Sequence, residues 1–494
     1  MLTLLALLPP TAVLVLMLVF RRHSAWAGTV GWLLALLVAH RAFGIGWQPM
    51  LWAQVRGLFT ALKILSIVWG AFLFYRTTEA AGTIEALVAH LRHLSPSREA
   101  QVLILAWGFA AFLQGVGGFG VPVAIVAPLM VALGFDPMTA VLLPALGHTW
   151  AISFGSLGAS ILALSSVVEV AEGPLVVACA AFLALIALLA GWAVLRLSGG
   201  SLRRSGWLWL RMGLAMGGVQ LGAAALGLWN VAALLGALAG LAVAVVFAEG
   251  ERRGGRGESP AADVDRPPLS RLLPYAILLA LIAALRFLPP LRALFDVVML
   301  RLTLPTGPTP TISLFGNTGA LLFYASLATV GLARRWGRLD RVRMRRLRSD
   351  FFQGVRRTTF GLLVMVLLAA TMEGAGMIDL LARSLAALAD GLFAPFAPWL
   401  GALVAFVTGS NMASNLLLGA LQARMASLLG LRVVVILAAQ NAGAALGSIL
   451  SPAKLMIGCS TVGMTGREGE VMRALLRRFL PWLLLLALLS WALA

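Results

Sequence analysis

Apolar stretches of membrane-spanning length recur along nearly the whole chain: 1–20, 26–44, 58–75, 137–164, 174–195, 207–228, 230–248, 272–290, 311–333, 358–375, 431–457 and 479–494. A bilayer crossing takes ~20 residues, so each predicts a transmembrane helix, about 12 in all. Two further stretches, 101–133 and 398–428, are interrupted near their midpoints by glycine and polar residues. They predict re-entrant hairpins, because non-helical backbone at membrane depth persists only where it is buried in protein or lines a cavity. Segments 137–164 and 431–457 carry polar interruptions of their own and predict broken helices.

Arginine placement orients these elements, since short loops rich in Lys and Arg face the cytoplasm. With Arg21-Arg22 inside, the walk returns Arg76, Arg92, Arg98, Arg196, the linker at 249–271, the arginine cluster at 334–348 and Arg467 to that same side. The two hairpins then enter from opposite faces. The chain also repeats itself. Glu79-Ala80-Ala81-Gly82-Thr83-Ile84-Glu85 is echoed by Glu373-Gly374-Ala375-Gly376-Met377-Ile378-Asp379, and Phe154-Gly155-Ser156-Leu157 by Leu446-Gly447-Ser448-Ile449. Both lines predict an all-α polytopic membrane protein built from two inverted repeats. The parts are N-terminal spans at 1–57, a first repeat at 58–195, connecting spans and basic loops at 196–357, and a second repeat at 358–494.

Composition agrees: 61% of residues are hydrophobic, 12% are charged, and mean hydropathy is +0.95, which leaves too little charge for a soluble surface. The net charge of +19 lies in short loops between apolar runs, a distribution that sets orientation and argues against nucleic acid. The Gly-, Pro- and charge-rich 249–271 reads as a flexible linker. Residues 1–20 lack a basic leader and read as a retained span. Cys179 and Cys459 sit in apolar surroundings and suggest neither a disulfide nor a metal site.

The candidate chemistry lies at the interruptions. The first hairpin turn supplies Gln114, Gly117, Gly118 and Gly120, and the second Ser410, Asn411, Ser414 and Asn415. Glycine lets a ligand approach backbone N–H groups, and helix N-termini at such breaks attract anions. Small residues also serve close helix packing, and both readings apply to the glycines. The broken helices add His148-Thr149 in the first segment and Gln440-Asn441, Ser451 and Lys454 in the second, and at the spacing of the echoes His148 matches Gln440, Thr149 matches Asn441 and Ser156 matches Ser448. Thr149, Asn441, Ser451 and Lys454 join the candidate substrate site. Lys454 pairs a carboxylate or snorkels to the inner face. His148 is the proton-coupling candidate, because its ordinary pKa of ~6.5 suits that task.

Three stretches resemble the signatures of the L-lactate permease family of bacterial lactate and glycolate carriers. They are Phe112-Leu113-Gln114-Gly115-Val116-Gly117-Gly118-Phe119-Gly120-Val121-Pro122-Val123-Ala124-Ile125, Thr408-Gly409-Ser410-Asn411-Met412-Ala413-Ser414-Asn415, and Ile449-Leu450-Ser451-Pro452 with Val462-Gly463-Met464-Thr465-Gly466-Arg467-Glu468-Gly469. The resemblance implies a carrier of 2-hydroxymonocarboxylates, with protons, in a bacterial inner membrane. It departs at Gln114, where the family has Glu, at Asn411, where it has Asp, and at His148-Thr149, where it has Asn-Thr. Coupling through His148, sodium coupling and uniport therefore stay open. The competing carrier reading is another organic anion, such as a dicarboxylate, moved with Na⁺. A membrane enzyme is disfavoured, because the chain has no His-Glu-x-x-His pair, no Gly-x-Ser-x-Gly elbow and no paired intramembrane aspartates. Expected partners are a small carboxylate anion and the bilayer, with no cofactor; a homodimer stays open.

Overall fold

The computed structural model describes residues 1–20, 22–92, 97–118, 120–253, 268–303, 311–389 and 392–494. Nearly all of them are helical. Among the described residues, the exception is a two-stranded antiparallel ribbon, Met299–Arg301 against Thr311–Ser313, with Leu300 opposite Ile312. Among the described residues, seven helices are long and apolar enough to cross a membrane, or nine if each of two bent helix pairs counts as one span; one of the seven, Arg98–Val116, falls in the stretch expected to be a re-entrant hairpin. Leu2–Leu18, Ser24–Arg41, Leu202–Ala225 and Thr318–Arg335 account for the other expected spans as helices, but each is too short or too polar to qualify on length and composition.

The helices that carry the sequence echo have matching form. Trp47–Ala80 and Arg341–Gly374 are both 34 residues long. Each ends in the same cap: Ala81 N–H donates to the Thr77 carbonyl and Gly82 N–H to that of Glu79, as Ala375 and Gly376 do to Thr371 and Glu373. Gly82 and Gly376 take φ +71° and +70°, left-handed values that glycine adopts without Cβ strain. Short helices, Thr83–Arg92 and Met377–Ala389, follow in both halves. The two long helices pack side by side, joined by Trp69 Nε1 to Thr359 Oγ1 at 2.8 Å and Gln54 Nε2 to Thr371 Oγ1 at 3.0 Å.

Several boundaries differ from the sequence reading. The long helices begin at Trp47 and Arg341, before the expected repeat starts at 58 and 358. Arg341, Arg343, Arg345, Arg346 and Arg348 extend the second one as continuous helix, because arginine is a good helix former. The stretch 311–333 opens as strand and becomes helix only at Thr318, after Asn317 caps it by accepting from Ala320 N. Helix extends to Arg253 in the expected linker, whose residues 254–267 lie outside the described residues, as do Arg21 and Phe119.

Eight helices frame the site. The first hairpin consists of α1 (Arg98–Val116), with a π-helical stretch at Leu103–Phe109, and α2 (Val121–Ala132). The first broken segment is α3 (Pro137–Gly147), a 3-10 turn at Thr149–Ala151, and α4 (Gly155–Ser165), bent by 51°. The second hairpin is α5 (Phe393–Thr408) and α6 (Asn411–Leu428); the second broken segment is α7 (Val433–Ile449) and α8 (Pro452–Thr461), bent by 44°. Glycines fuse α5 to α7: a Cβ on Gly401, Gly443 or Gly447 would collide with the backbone carbonyl of Gln440, Pro398 or Ala402 respectively. Such closeness is how membrane helices gain packing energy without a hydrophobic drive.

Candidate functional site

Each break in the helices has a local cause. In the second hairpin Gly409 takes φ +69° and ends α5. Ser410 then caps α6, its Oγ accepting from Ala413 N at 3.2 Å. In the second broken segment Ser451 caps α8 in the same way and Pro452 fills the first helical turn, where its missing N–H costs nothing. The first broken segment is strained instead: Ser156 and Leu157 hold φ +48° and +53°, which disfavours side chains with a Cβ. Non-glycine strain of this kind concentrates at functional positions. Ser156 Oγ donates to the Gly117 carbonyl at 3.3 Å, and a Cβ on Gly118 would land on that hydroxyl.

These breaks meet around one cavity of about 50 Å³, whose polar lining is Gln114, Ser156, Ser160, Ser410, Asn411 and Lys454. At ~10–15 Å³ per water, that is room for about four waters or a very small solute. Asn411 is only 3% exposed; its Nδ2 donates to Ser153 Oγ at 2.8 Å and more weakly to the Asn441 carbonyl at 3.5 Å. Its Oδ1 is buried with no partner. Lys454 lies in the first turn of α8, half-buried, with Nζ donating to Ser448 Oγ at 3.1 Å. No acid lines the cavity, and Lys454 enters no ion pair among the described residues. A cation at a helix N-terminus gains nothing from the dipole. The cavity is thus electropositive and uncompensated, with donors from both halves of the chain.

The other sequence candidates fall into a surrounding shell. Asn415 bridges three elements: Nδ2 donates to the Ser160 carbonyl at 2.9 Å and to Asn441 Oδ1 at 3.0 Å, and Oδ1 accepts from Gln440 Nε2 at 3.1 Å. Ser414 Oγ donates to the Gly401 carbonyl at 2.9 Å, and Thr149 Oγ1 to the Leu146 carbonyl. His148 Nδ1 faces the Pro144 carbonyl, which only accepts, so Nδ1 carries the hydrogen and Nε2 is the free acceptor. His148, Thr149, Ser414, Asn415, Asn441 and Ser451 do not line the cavity; neither do Gly117, Gly118 and Gly120, which shape the turn beside it. Ser153 and Ser160 escaped the sequence reading. Ser160 was accessible to it, one helical turn from Ser156.

The second turn separates this cavity from a larger one of about 250 Å³ against Thr358, Gly361, Leu362 and Met365. The far ends of α4 and α6 frame a third of about 390 Å³, edged by Glu169, Glu373, Asp379 and Arg424. Between them Gly419 sits tightly on Leu164 and Val167.

A polar cavity at converging helix breaks, inside a multi-pass membrane bundle, is the architecture of a transporter and not of an enzyme. The chain belongs to the L-lactate permease family, whose model matches residues 3–494. It is 27% identical over 488 residues to the L-lactate permease of Escherichia coli (strain K12), covering 89% of this chain and 86% of that protein. It is 26% identical over 437 residues to the L-lactate permease of Streptococcus iniae, covering 86% and 90%. The glycolate permease GlcA of Escherichia coli (strain K12) is 24% identical over 530 residues, covering 95% and 91%. Among solved structures, the Neisseria gonorrhoeae antimetabolite efflux pump MtrF shares the fold, with TM-score 0.52 and 15% identity over 96% of this chain and 94% of that one.

Proposed function

We propose that this protein carries a small 2-hydroxymonocarboxylate, lactate or glycolate, across the bacterial inner membrane by proton symport. Its twelve spans and two re-entrant hairpins form inverted repeats, with the anion held where the hairpin turns meet. The observation that carries this reading is Lys454, a cation without a carboxylate partner in a cavity that also offers the Asn411 amide. An unpaired charge in a low-dielectric site is costly, so the site favours an anion that neutralises it. The family and the permease names of its relatives supply the chemical class. A cavity of about 50 Å³ suits a two- or three-carbon acid better than a four-carbon diacid.

A second reading rests on the orphan Asn411 Oδ1: a buried oxygen without a donor also suits Na⁺, which would make the carrier sodium-coupled. Counterflow in proteoliposomes with lactate, glycolate, succinate and malate, under imposed pH or sodium gradients, separates the readings. Lactate or glycolate exchange with pH-driven accumulation is expected; exchange of succinate or malate alone would replace the substrate assignment. In Asn411→Ala, loss of the Oδ1 acceptor for the substrate's 2-hydroxyl costs ~0.5–1.5 kcal/mol, about a twofold to tenfold rise in KM.

A further inference from the structure

Among the described residues lining the central cavity, Lys454 is the one titratable group. We propose that it is both the anchor of the substrate carboxylate and the carrier of the co-transported proton, which makes the cycle electroneutral and one-to-one. This rests on the carboxylate reading above and names its coupling residue.

The surroundings leave few alternatives. α8 packs on α2, α3 and the helix Glu468–Leu493. Neither α2 nor α3 contains a titratable residue; Asp136 stands before α3 and His148 directly after it. On α8 itself Cys459 is the other titratable group, buried. Glu468–Leu493 carries Glu468, Glu470, Arg473, Arg477 and Arg478 in its first three turns, and Arg467 precedes it; Arg467 and Glu470 pair with each other at 2.7 Å. α1, α4 and α6 supply the rest of the wall, and α7 reaches Lys454 from behind through Ser448. Their charges, Arg98 and Glu99 on α1 and Arg424 on α6, lie at the ends away from the cavity, and Arg424 pairs with Asp379 at 2.6 Å. His148 turns Nδ1 to the Pro144 carbonyl and does not line the cavity, but it stands close enough to feel the Lys454 charge, which makes His148→Gln a necessary control.

The coupling follows from the cost of an unpaired buried charge. With the site open to the acidic side, the amine takes a proton and the ammonium binds the carboxylate, giving a net-neutral pair that the carrier can enclose. On the other side the carboxylate leaves, and the ammonium, unpaired and with only Ser448 Oγ beside it, returns its proton to water. The empty carrier then resets as the neutral amine. Enclosing the empty ammonium would strand a charge, so a proton does not leak without an anion. Ser448 supports the charged state, since its hydroxyl donates to the Ala445 carbonyl at 3.0 Å and keeps its lone pairs for the ammonium.

Arginine separates binding from coupling, because a guanidinium keeps its charge at any physiological pH. In proteoliposomes of the full-length protein, Lys454→Arg should retain lactate counterflow while losing pH-driven net accumulation. Wild type should concentrate lactate up to about tenfold per pH unit, the ratio set by 1.36 kcal/mol per unit. Lys454→Met should lose counterflow as well, at least tenfold, and His148→Gln should keep the pH-driven uptake. Two further measurements on wild type need no variant: one proton enters per lactate, and a valinomycin-imposed potential leaves net uptake unchanged. Potential-sensitive uptake, or Lys454→Arg that accumulates lactate on a pH jump, overturns the proposal. Counterflow reads the carrier assignment and net accumulation reads the coupling, so the two fail separately.

Discussion

Asn415 offers a sharp test of how the polar residues divide between holding substrate and holding the protein together. Its amide is fully committed to α4 and α7, through the Ser160 carbonyl, Asn441 Oδ1 and Gln440 Nε2. Asn415→Ala removes all three bonds. At ~0.6 kcal/mol for an average interhelical hydrogen bond in a bilayer, the floor is about 2 kcal/mol. Leaving buried partners unsatisfied raises the cost toward ~1–3 kcal/mol each, so the expected loss over three bonds is about 2–9 kcal/mol. Asn441 Nδ2 and Gln440 Oε1 already lack partners, so the cluster has few ways to re-form. Heating detergent-purified protein and following its monodisperse fraction should show a melting temperature several degrees lower. Counterflow measured below that transition should give a KM within about twofold of wild type, because no interaction with substrate is lost. An unchanged melting temperature with a tenfold higher KM would refute the reasoning and make the amide a substrate ligand.

Three other outcomes are expected. Gly118→Val should abolish counterflow while the protein still reaches the membrane, since a side chain there meets Ser156 Oγ and is disfavoured at φ +63°; normal transport would remove the turn from the site. Single cysteines in the 334–340 loop should react with an impermeant maleimide only from the cytoplasm, and one at Asp296 only from outside; equal access from one side would defeat the inverted arrangement. Asp136 caps α3, accepting from Thr139 N at 3.0 Å, and its hydrogen bonds to Thr139 hold its carboxyl below the usual range. Because the folded value is depressed, this support is present above the ordinary carboxylate range and lost as pH falls through the lowered one. Asp136→Ala should cost about 1 kcal/mol at neutral pH and nothing further in strong acid; a variant whose deficit persists unchanged in acid would contradict the cap.

Interruptions in the apolar pattern coincide with the breaks in the helices. Gly155-Ser156 and Ser451-Pro452 stand at the bends of 51° and 44°, and Gly409-Ser410 stands at the second turn, because glycine, serine and proline act through local backbone geometry that needs no partner. Partner-dependent features were not legible. Whether Asn411 or Asn415 faces the cavity depends on which helix lies opposite, and both are asparagines near the start of one helix. The left-handed pair Ser156 and Leu157 has no sequence signature, since neither residue favours that conformation. The π-helical stretch at Leu103–Phe109 is hidden for a different reason: a uniformly apolar run has no polar face to betray its period. The ribbon at 299–313 was missed because its apolar residues merged with the span that follows.

The fused helices α5 and α7 limit where this molecule can bend. With Gly401, Gly443 and Gly447 pressed onto opposing carbonyls, neither helix can slide along the other without pulling three close contacts apart at once, so the pair behaves as a strut. Gly409 lies against Ser451, so motion that opens the cavity must then concentrate at that one end of the strut, where Gly409-Ser410 joins it to α6 and Leu450-Ser451 joins it to α8. Those joints place Asn411 and Lys454 on the far side of each pivot. These two cavity-lining residues would therefore swing against a fixed beam, each on its own hinge, and a molecule so built keeps its register while the cavity wall parts.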